Sequence, residues 1–234
     1  MKVETAIILA GGKGFRMLPF TLDKPKTMVM VLDKPMIEWI LIWLRKNKIK
    51  RLVLSVDYKK EVLMKHLGNG KNFGIRIIYN DHSGAKETGD AFRSVLENIH
   101  LPKYFFAMNS DQFTDLSLRD LELHHKKYRP VATIVTCPTR HPYGVVKLGH
   151  DHSIEDFLEK PILEDVLMNT GIYMFDKEIL KYLPKHGSIE RTTFKKLAKM
   201  GKLRSYVHKG LFTTVNDQKD LKEAEKILKN HRQT

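Results

Sequence analysis

Through its first half the chain alternates short apolar runs with segments of helical period, and this alternation restricts the fold more than any other feature. Residues 5–10, 52–56, 75–79 and 104–108 are runs rich in aliphatic, β-branched and aromatic side chains, each too short for a core helix. Between the first two, residues 35–47 place Met36, Ile37, Ile40, Leu41 and Leu44 at helical spacing behind Pro35, which suits a first helical turn. Residues 59–67 and 88–98 read as two further helices. Four such repeats predict βαβ units and a parallel sheet covered on both faces, because each parallel crossover lays a helix across the sheet.

A helix over 116–127 and a strand over 131–136 follow, and beyond Pro138 the texture changes. Short strands at 144–148, 154–159 and 168–175, with Lys160-Pro161 interrupting, suggest an inserted antiparallel layer. Helices at 177–183 and 190–200, strands at 203–208 and 212–215, and a helix over 217–230 complete the pattern, with Asp217 placed to cap the last helix and Asp220 at its third position. No Pro- or Ser-rich linker divides residues 1–234, so one domain is expected, with halves at about 1–137 and 138–234.

Composition narrows the partners. Lys and Arg number 41 against 27 Asp and Glu, a net charge of +14, which raises nucleic acid as a partner. The basic residues are spread over many segments at spacings that suit solvated helix faces, which disfavours nucleic acid and fits a small polyanion instead. Apolar stretches such as 6–10 and 104–108 fall far short of the roughly 18–20 residues that span a bilayer, so no membrane is expected. Met1-Lys2-Val3-Glu4 runs straight into an apolar strand without a secretory pattern, and a lone Cys137 closes no intrachain disulfide; both point to the cytoplasm. His150-Asp151-His152 lacks a third ligand at a telling spacing, His124-His125 reads as helix surface, and Asp115 as a turn or cap residue.

Gly11-Gly12-Lys13-Gly14 follows the first strand directly, where an open parallel sheet places its ligands. Glycine there lets the backbone approach a phosphate or a base, although an ordinary turn would use it too. Spacing excludes two better-known loops. A dinucleotide fingerprint would need glycine where Met17 stands, and a P-loop would need Gly-Lys followed by Ser or Thr. Arg16, Lys24 and Lys26 then put three cations on one glycine-rich segment too irregular for helix, which points to a polyphosphate.

The stretch Gly11-Gly12-x-Gly14-x-Arg16-x-x-Pro19-x-Thr21, then Pro25-Lys26 and Lys34-Pro35-Met36-Ile37, resembles the signature of the sugar-1-phosphate nucleotidyltransferases. The resemblance continues in order through Glu87-Thr88-Gly89-Asp90-Ala91, Asn109-Ser110-Asp111, Tyr143-Gly144-Val145-Val146, Glu159-Lys160-Pro161 and Asn169-Thr170-Gly171-Ile172-Tyr173. It implies a three-layer α/β sandwich of the nucleotide-diphospho-sugar transferase (Rossmann-like) type, with a mixed, mainly parallel sheet. Nucleotide binding would fall to the first half and sugar binding to the second. The implied reaction transfers a nucleotidyl group from an NTP to a sugar 1-phosphate, giving NDP-sugar and diphosphate.

By the same resemblance Arg16 and Lys26 are the catalytic cations, and Leu9, Ala10, Gly11, Gly12, Gly14, Glu87 and Thr88 contact the nucleotide, Thr88 being equally a plain helix cap. Gly144, Glu159, Lys160, Asn169 and Gly171 would meet the sugar phosphate, and Asp111 would hold Mg²⁺. Small members of this length resemble mannose-1-phosphate guanylyltransferases and short uridylyltransferases, which leans the base toward guanine; a homo-oligomer stays open. No hexapeptide repeats occur, so no β-helix is expected. One departure bears on activity: Phe212-Thr213-Thr214-Val215-Asn216-Asp217 puts Thr214 where relatives carry a second metal carboxylate. The alternative is a catalytically impaired, sugar-nucleotide-binding or regulatory homologue.

Overall fold

The structure, a computed structural model, describes residues 2–231. Strand β1 (Thr5–Leu9) leads through the glycine-rich loop to a small hairpin, β2 (Met30–Val31) and β3 (Lys34–Pro35). Then come α1 (Met36–Lys46), β4 (Arg51–Val56), α2 (Lys60–Leu67), β5 (Arg76–Asp81), α3 (Thr88–Asn98), β6 (Tyr104–Asn109), β7 (Gln112–Thr114) and α4 (Leu118–Tyr128). The second half contributes β8 (Ala132–Arg140), β9 (Val145–Leu148), β10 (Ile154–Leu158), β11 (Ile162–Asp176), α5 (Lys195–Lys199), β12 (Leu203–Val207), β13 (Phe212–Thr214) and α6 (Gln218–His231).

Seven strands form one sheet in the order β12-β8-β11-β6-β1-β4-β5. Only β11 runs against its neighbours, antiparallel to both β6 and β8, so the sheet is mixed and mainly parallel, as expected. Alternation along each strand splits the core between two faces. Ala6 and Ile8 of β1 pack with Ile37, Ile40, Leu41 and Leu44 of α1 and with Leu121 of α4. Ile7 faces the other way, with Phe92, Val95 and Leu96 of α3 and Leu197 of α5. Helix, sheet and helix give the three layers. Among the described residues no helix is long and apolar enough to cross a membrane.

A third, smaller core joins parts distant in sequence. Met17, Val29, Val31 and Met36, from the segment after β1, pack with Phe113 of β7, Val215 after β13, and Leu221, Ala224 and Leu228 of α6. This cluster fastens the glycine-rich segment and the start of α6 against the end of β6.

Several expectations need correction. The strand expected at 168–175 is a 15-residue strand, Ile162–Asp176, whose second part is a buried member of the main sheet; only the hairpin of β9 and β10 stands apart. Residues 177–181 form a 3₁₀ turn, and Glu190–Phe194 a π turn that runs into α5, where plain helices were expected. Lys26–Met28 is a 3₁₀ turn inside the segment read as irregular. Asp115 pairs with His208 at 3.0 Å across the β7/β13 connection.

The pair His124-His125 is not a helix surface. His125 is fully buried beneath α4, with its Nδ1 2.8 Å from the Thr133 hydroxyl, because α4 lies across β8 and β12 rather than free in solvent. Burial, helped by His124 and Lys126, pushes its imidazole down to about 4 from an ordinary value of 6.5. The unfolded chain therefore binds the proton first, so stability is present above pH 6.5 and is lost as pH falls toward 4. Denaturant titration of wild type and His125→Gln across this range should show the wild type losing more stability on acidification, by on the order of 3 kcal/mol.

Candidate active site

The site lies at the carboxyl edge of the sheet, where β1 sends its chain to β4 on one side while β6 pairs it on the other. Such a switch in strand order opens a crevice between diverging loops. Here it is a cavity of about 850 Å³. Gly11, Gly12, Gly14 and Arg16 line one wall, residues 84–88 another, and Asn109, Ser110 and Asp111 the floor at the end of β6.

Two glycines are required by local geometry. A Cβ on Gly11 would lie 2.5 Å from Nε2 of His82 and 2.9 Å from Cβ of Asp57. Gly14 has φ +65°, and a Cβ there would lie 2.9 Å from Cβ of Lys26. The loop closes on itself through the Thr21 hydroxyl, which donates to the Gly14 carbonyl at 2.9 Å, and through the Lys26 amide, which donates to the Gly12 carbonyl at 3.4 Å. Gly14 therefore gives up its side chain so that Lys26 can fold back over the loop.

The centre of charge is Lys26. Its ammonium donates to Oδ2 of Asp111 at 2.7 Å and to Oδ1 of Asn216 at 3.3 Å, and Arg16 donates to the same Asn216 oxygen at 3.2 Å. Three residues singled out from sequence, Arg16, Lys26 and Asp111, thus come together. Asn216 completes the group and was missed. It stands two residues past Thr214, within the stretch 212–217 already singled out for that departure. Asp217 does not move into the site: its Oδ1 accepts the amides of Lys219 and Asp220 at 2.8 and 2.9 Å and caps α6.

The loop over 84–88 is shaped by Asp90, whose carboxylate accepts from the amides of Lys86 at 2.7 Å, Glu87 at 3.3 Å and Gly187 at 3.3 Å. Glu87, not Thr88, is the N-cap of α3, in a reciprocal capping box with Asp90. Thr88 instead donates its hydroxyl to Glu190 at 2.8 Å. Both still line the cavity, as does Leu9, whereas Ala10 is buried and does not.

Two further lining residues, Asp57 and His82, escaped the sequence reading because each follows a strand without any motif. The Ser55 hydroxyl lies 2.7 Å from Nδ1 of His82, and burial lowers the imidazole pKa against the pull of Asp57, Asp81 and Asp90, which keeps the ring neutral at pH 7.

The residues expected on the sugar side are less gathered. Gly144, Glu159, Lys160, Asn169 and Gly171 are not among the residues lining the cavity. Lys160 has φ +49° and pairs with Glu159 at 3.6 Å on an exposed turn after β10. Gly171 comes nearer: a Cβ there would lie 2.7 Å from Nδ2 of Asn109, which does line the cavity. Asn169 accepts the Gly171 amide at 2.9 Å and donates to the Tyr173 hydroxyl at 3.1 Å.

The fold and the crevice define an α/β protein of the nucleotide-sugar transferase architecture. The family described as Nucleotidyl transferase matches residues 5–223, and the chain belongs to it. A mannose-1-phosphate guanyltransferase of Gibberella zeae is 34% identical over 92% of this chain and 61% of its own length. A UTP–glucose-1-phosphate uridylyltransferase of Synechocystis sp. is 32% identical over 76% of this chain and 50% of its own. The chain thus spans between half and two thirds of the length of these relatives. Among solved structures, a protein described as a glucose-1-phosphate thymidylyltransferase of Bacillus anthracis has TM-score 0.76 at 21% identity, covering 95% of this chain and 94% of that one. HddC of Yersinia pseudotuberculosis has TM-score 0.75 at 22% identity, over 97% of this chain and all of that one. Both likenesses show the fold.

Gly11→Ala should force His82 or Asp57 out of place. Nucleotide affinity, followed by fluorescence titration, is expected to drop at least about tenfold while the thermal midpoint moves by only a few degrees, since the crevice wall is disturbed and Asp57 and His82 belong to none of the three apolar clusters.

Proposed function

We propose that the protein transfers a nucleotidyl group from an NTP to a sugar 1-phosphate, releasing diphosphate, with GTP and mannose 1-phosphate as the preferred pair. The observation that carries this reading is the Lys26 ammonium, held 2.7 Å from Asp111 beside Arg16 in a crevice of about 850 Å³, large enough for a nucleotide. In the reaction an oxygen of the sugar phosphate attacks the α-phosphorus. A new oxygen–phosphorus bond forms as the bond from the α-phosphorus to the bridging oxygen breaks, and diphosphate leaves with that electron pair.

Each cation then has a distinct task. Lys26, a compact charge, neutralises the α-phosphoryl oxygens, while the planar fork of Arg16 suits the departing diphosphate. No general base is required, because a phosphate oxygen is already ionised at neutral pH. Catalysis is therefore positioning and charge stabilisation.

The donor chemistry fits Mg²⁺. Asp111 offers a carboxylate at the end of a parallel strand, partly open to the crevice, and already accepts one cation there. Mg²⁺ keeps several waters and is commonly held by one or two protein oxygens together with substrate phosphates, so a full cage of protein ligands is not needed. Bound at Asp111, it would supply Lewis-acid neutralisation of the phosphates. Glu159, Lys160, Asn169 and Gly171 are assigned to the sugar phosphate by family resemblance, supported for Gly171 by its close approach to Asn109 on the crevice floor and for Asn169 by its bond to the Gly171 amide.

Guanine is favoured by Asp57 and His82. A carboxylate accepts the adjacent N1–H and N2–H₂ donors of guanine, a pair that uracil and thymine do not present, and a neutral imidazole can donate to a ring carbonyl.

Diphosphate release measured across the four NTPs with several hexose 1-phosphates is expected to be greatest with GTP and mannose 1-phosphate. NTP binding with no release for any pair would instead support the impaired homologue suggested by Thr214. Lys26→Ala should lower kcat by about 10³-fold, equivalent to about 4 kcal/mol of transition-state stabilisation, with nucleotide binding largely kept. Asp57→Asn should shrink the preference for GTP over UTP by at least about tenfold in kcat/KM, without lowering turnover of UTP.

A further inference from the structure

Thr214 stands where the family pattern calls for a second metal carboxylate, yet its hydroxyl is engaged elsewhere: it accepts a hydrogen bond from Nδ2 of Asn216 at 3.0 Å. That bond fixes which end of the Asn216 amide faces the crevice. With Nδ2 on the threonine, Oδ1 points to the two cationic donors, Arg16 at 3.2 Å and Lys26 at 3.3 Å. The opposite orientation would set an amide N–H₂ against both cations, so the network admits one arrangement.

The backbone holds this oxygen in place. β13 pairs antiparallel with β7, bringing Thr214 opposite Gln112, and the Val215 amide donates to the Asp111 carbonyl at 3.0 Å. The Asn216 amide is anchored on Oδ2 of Asp220 at 2.9 Å, one turn into α6. Asn216 Oδ1 and Asp111 Oδ2 consequently reach one ammonium from two sides, at 3.3 and 2.7 Å. The ammonium occupies the volume of a cation between two hard oxygens, the donor type that Mg²⁺ prefers.

We propose that Asn216, oriented by Thr214, supplies the second protein oxygen for the divalent cation, so that the site tolerates loss of the carboxylate at position 214. Thr214 is then a positioning residue and not a ligand. Lys26 holds the two oxygens together in the absence of metal, and it turns to the substrate phosphates when a divalent cation takes its place. A neutral amide gives a weaker site than a second carboxylate, one that depends on nucleotide phosphates to complete the coordination. This assignment rests on the nucleotidyltransferase reading of the crevice.

The test uses Mn²⁺ as the probe, with binding followed by loss of the free Mn²⁺ electron paramagnetic resonance signal. Titrations are made with the protein alone and with a saturating non-hydrolysable GTP analogue, corrected for analogue without protein. Asn216→Ala is expected to weaken Mn²⁺ binding at least tenfold, Thr214→Val several-fold, and Asn216→Asp to equal or exceed the wild type.

Mn²⁺ affinity of Asn216→Ala within twofold of the wild type would overturn the assignment and leave Asn216 as a support for Lys26 and Arg16 alone. Absence of Mn²⁺ binding by the wild type under both conditions overturns it equally. Should Asn216→Ala fail to fold, Thr214→Val decides the matter: Mn²⁺ affinity within twofold of the wild type in that variant speaks against the proposal. Failure of the wild type to bind the analogue both with and without Mn²⁺ counts against the nucleotidyltransferase reading itself, whereas analogue binding with Mn²⁺ affinity insensitive to Asn216 counts only against this ligand.

Discussion

The ion pair between Lys26 and Asp111 is the contact on which the rest of the crevice depends, since it ties the loop after β1 to the end of β6 across 85 positions of sequence. As a stabilising element it is worth little, because both groups lose hydration on approaching each other and remain partly open to water. Its consequence is geometric. Lys26 can reach Asp111 only if its backbone folds back over the glycine-rich loop, and that is the approach a Cβ at Gly14 would block. The third apolar cluster provides the energy that the pair does not. Met17, Val29 and Met36, buried against Phe113, Val215 and Leu221, keep the two ends of the contact in register.

From that anchor the other features follow in order. The parallel strands β1, β4 and β5 end on the same edge, so the loops bearing Gly11, Asp57 and His82 converge there, the His82 amide donating to the Val56 carbonyl at 3.0 Å. Strand β11 runs antiparallel between β6 and β8, which carries Asn169 and Gly171 to the same edge as Asn109 while its outer part, from Ile162 to Leu167, continues along β8. The crevice is thus walled by the loops after β1, β5 and β6, and the β9/β10 hairpin contributes no residue to its lining. Gly144, Glu159 and Lys160, on or beside that hairpin, accordingly line no wall of the cavity.

Much of this was legible in the sequence. The four βα repeats were visible because buried parallel strands need continuous apolar runs and their crossover helices need an apolar stripe, and both periods survive in the residues themselves. The glycine-rich segment was visible because backbone approach to a ligand excludes Cβ atoms. The length of β11 was not: its outer part is exposed and interrupted by polar residues, so only the buried stretch near 168–175 carries a strand pattern. The burial of His125 was equally hidden, since a histidine pair on an amphipathic helix reads as solvated until the position of the helix over β8 is known.

For the site, the sequence by itself determined which chemistry was available: a glycine-rich turn with cations beside it, one carboxylate at the end of a strand, and no carboxylate at Thr214. Such groups are readable because their side-chain chemistry and local spacing do not depend on the rest of the fold. Tertiary structure alone decided that Asn216 joins Arg16, Lys26 and Asp111, that Thr214 orients it, and that Asp57 and His82 flank Gly11. Those relations arise from pairing β13 with β7 and β4 with β5, contacts between segments far apart in the chain, and no pattern within either segment specifies them.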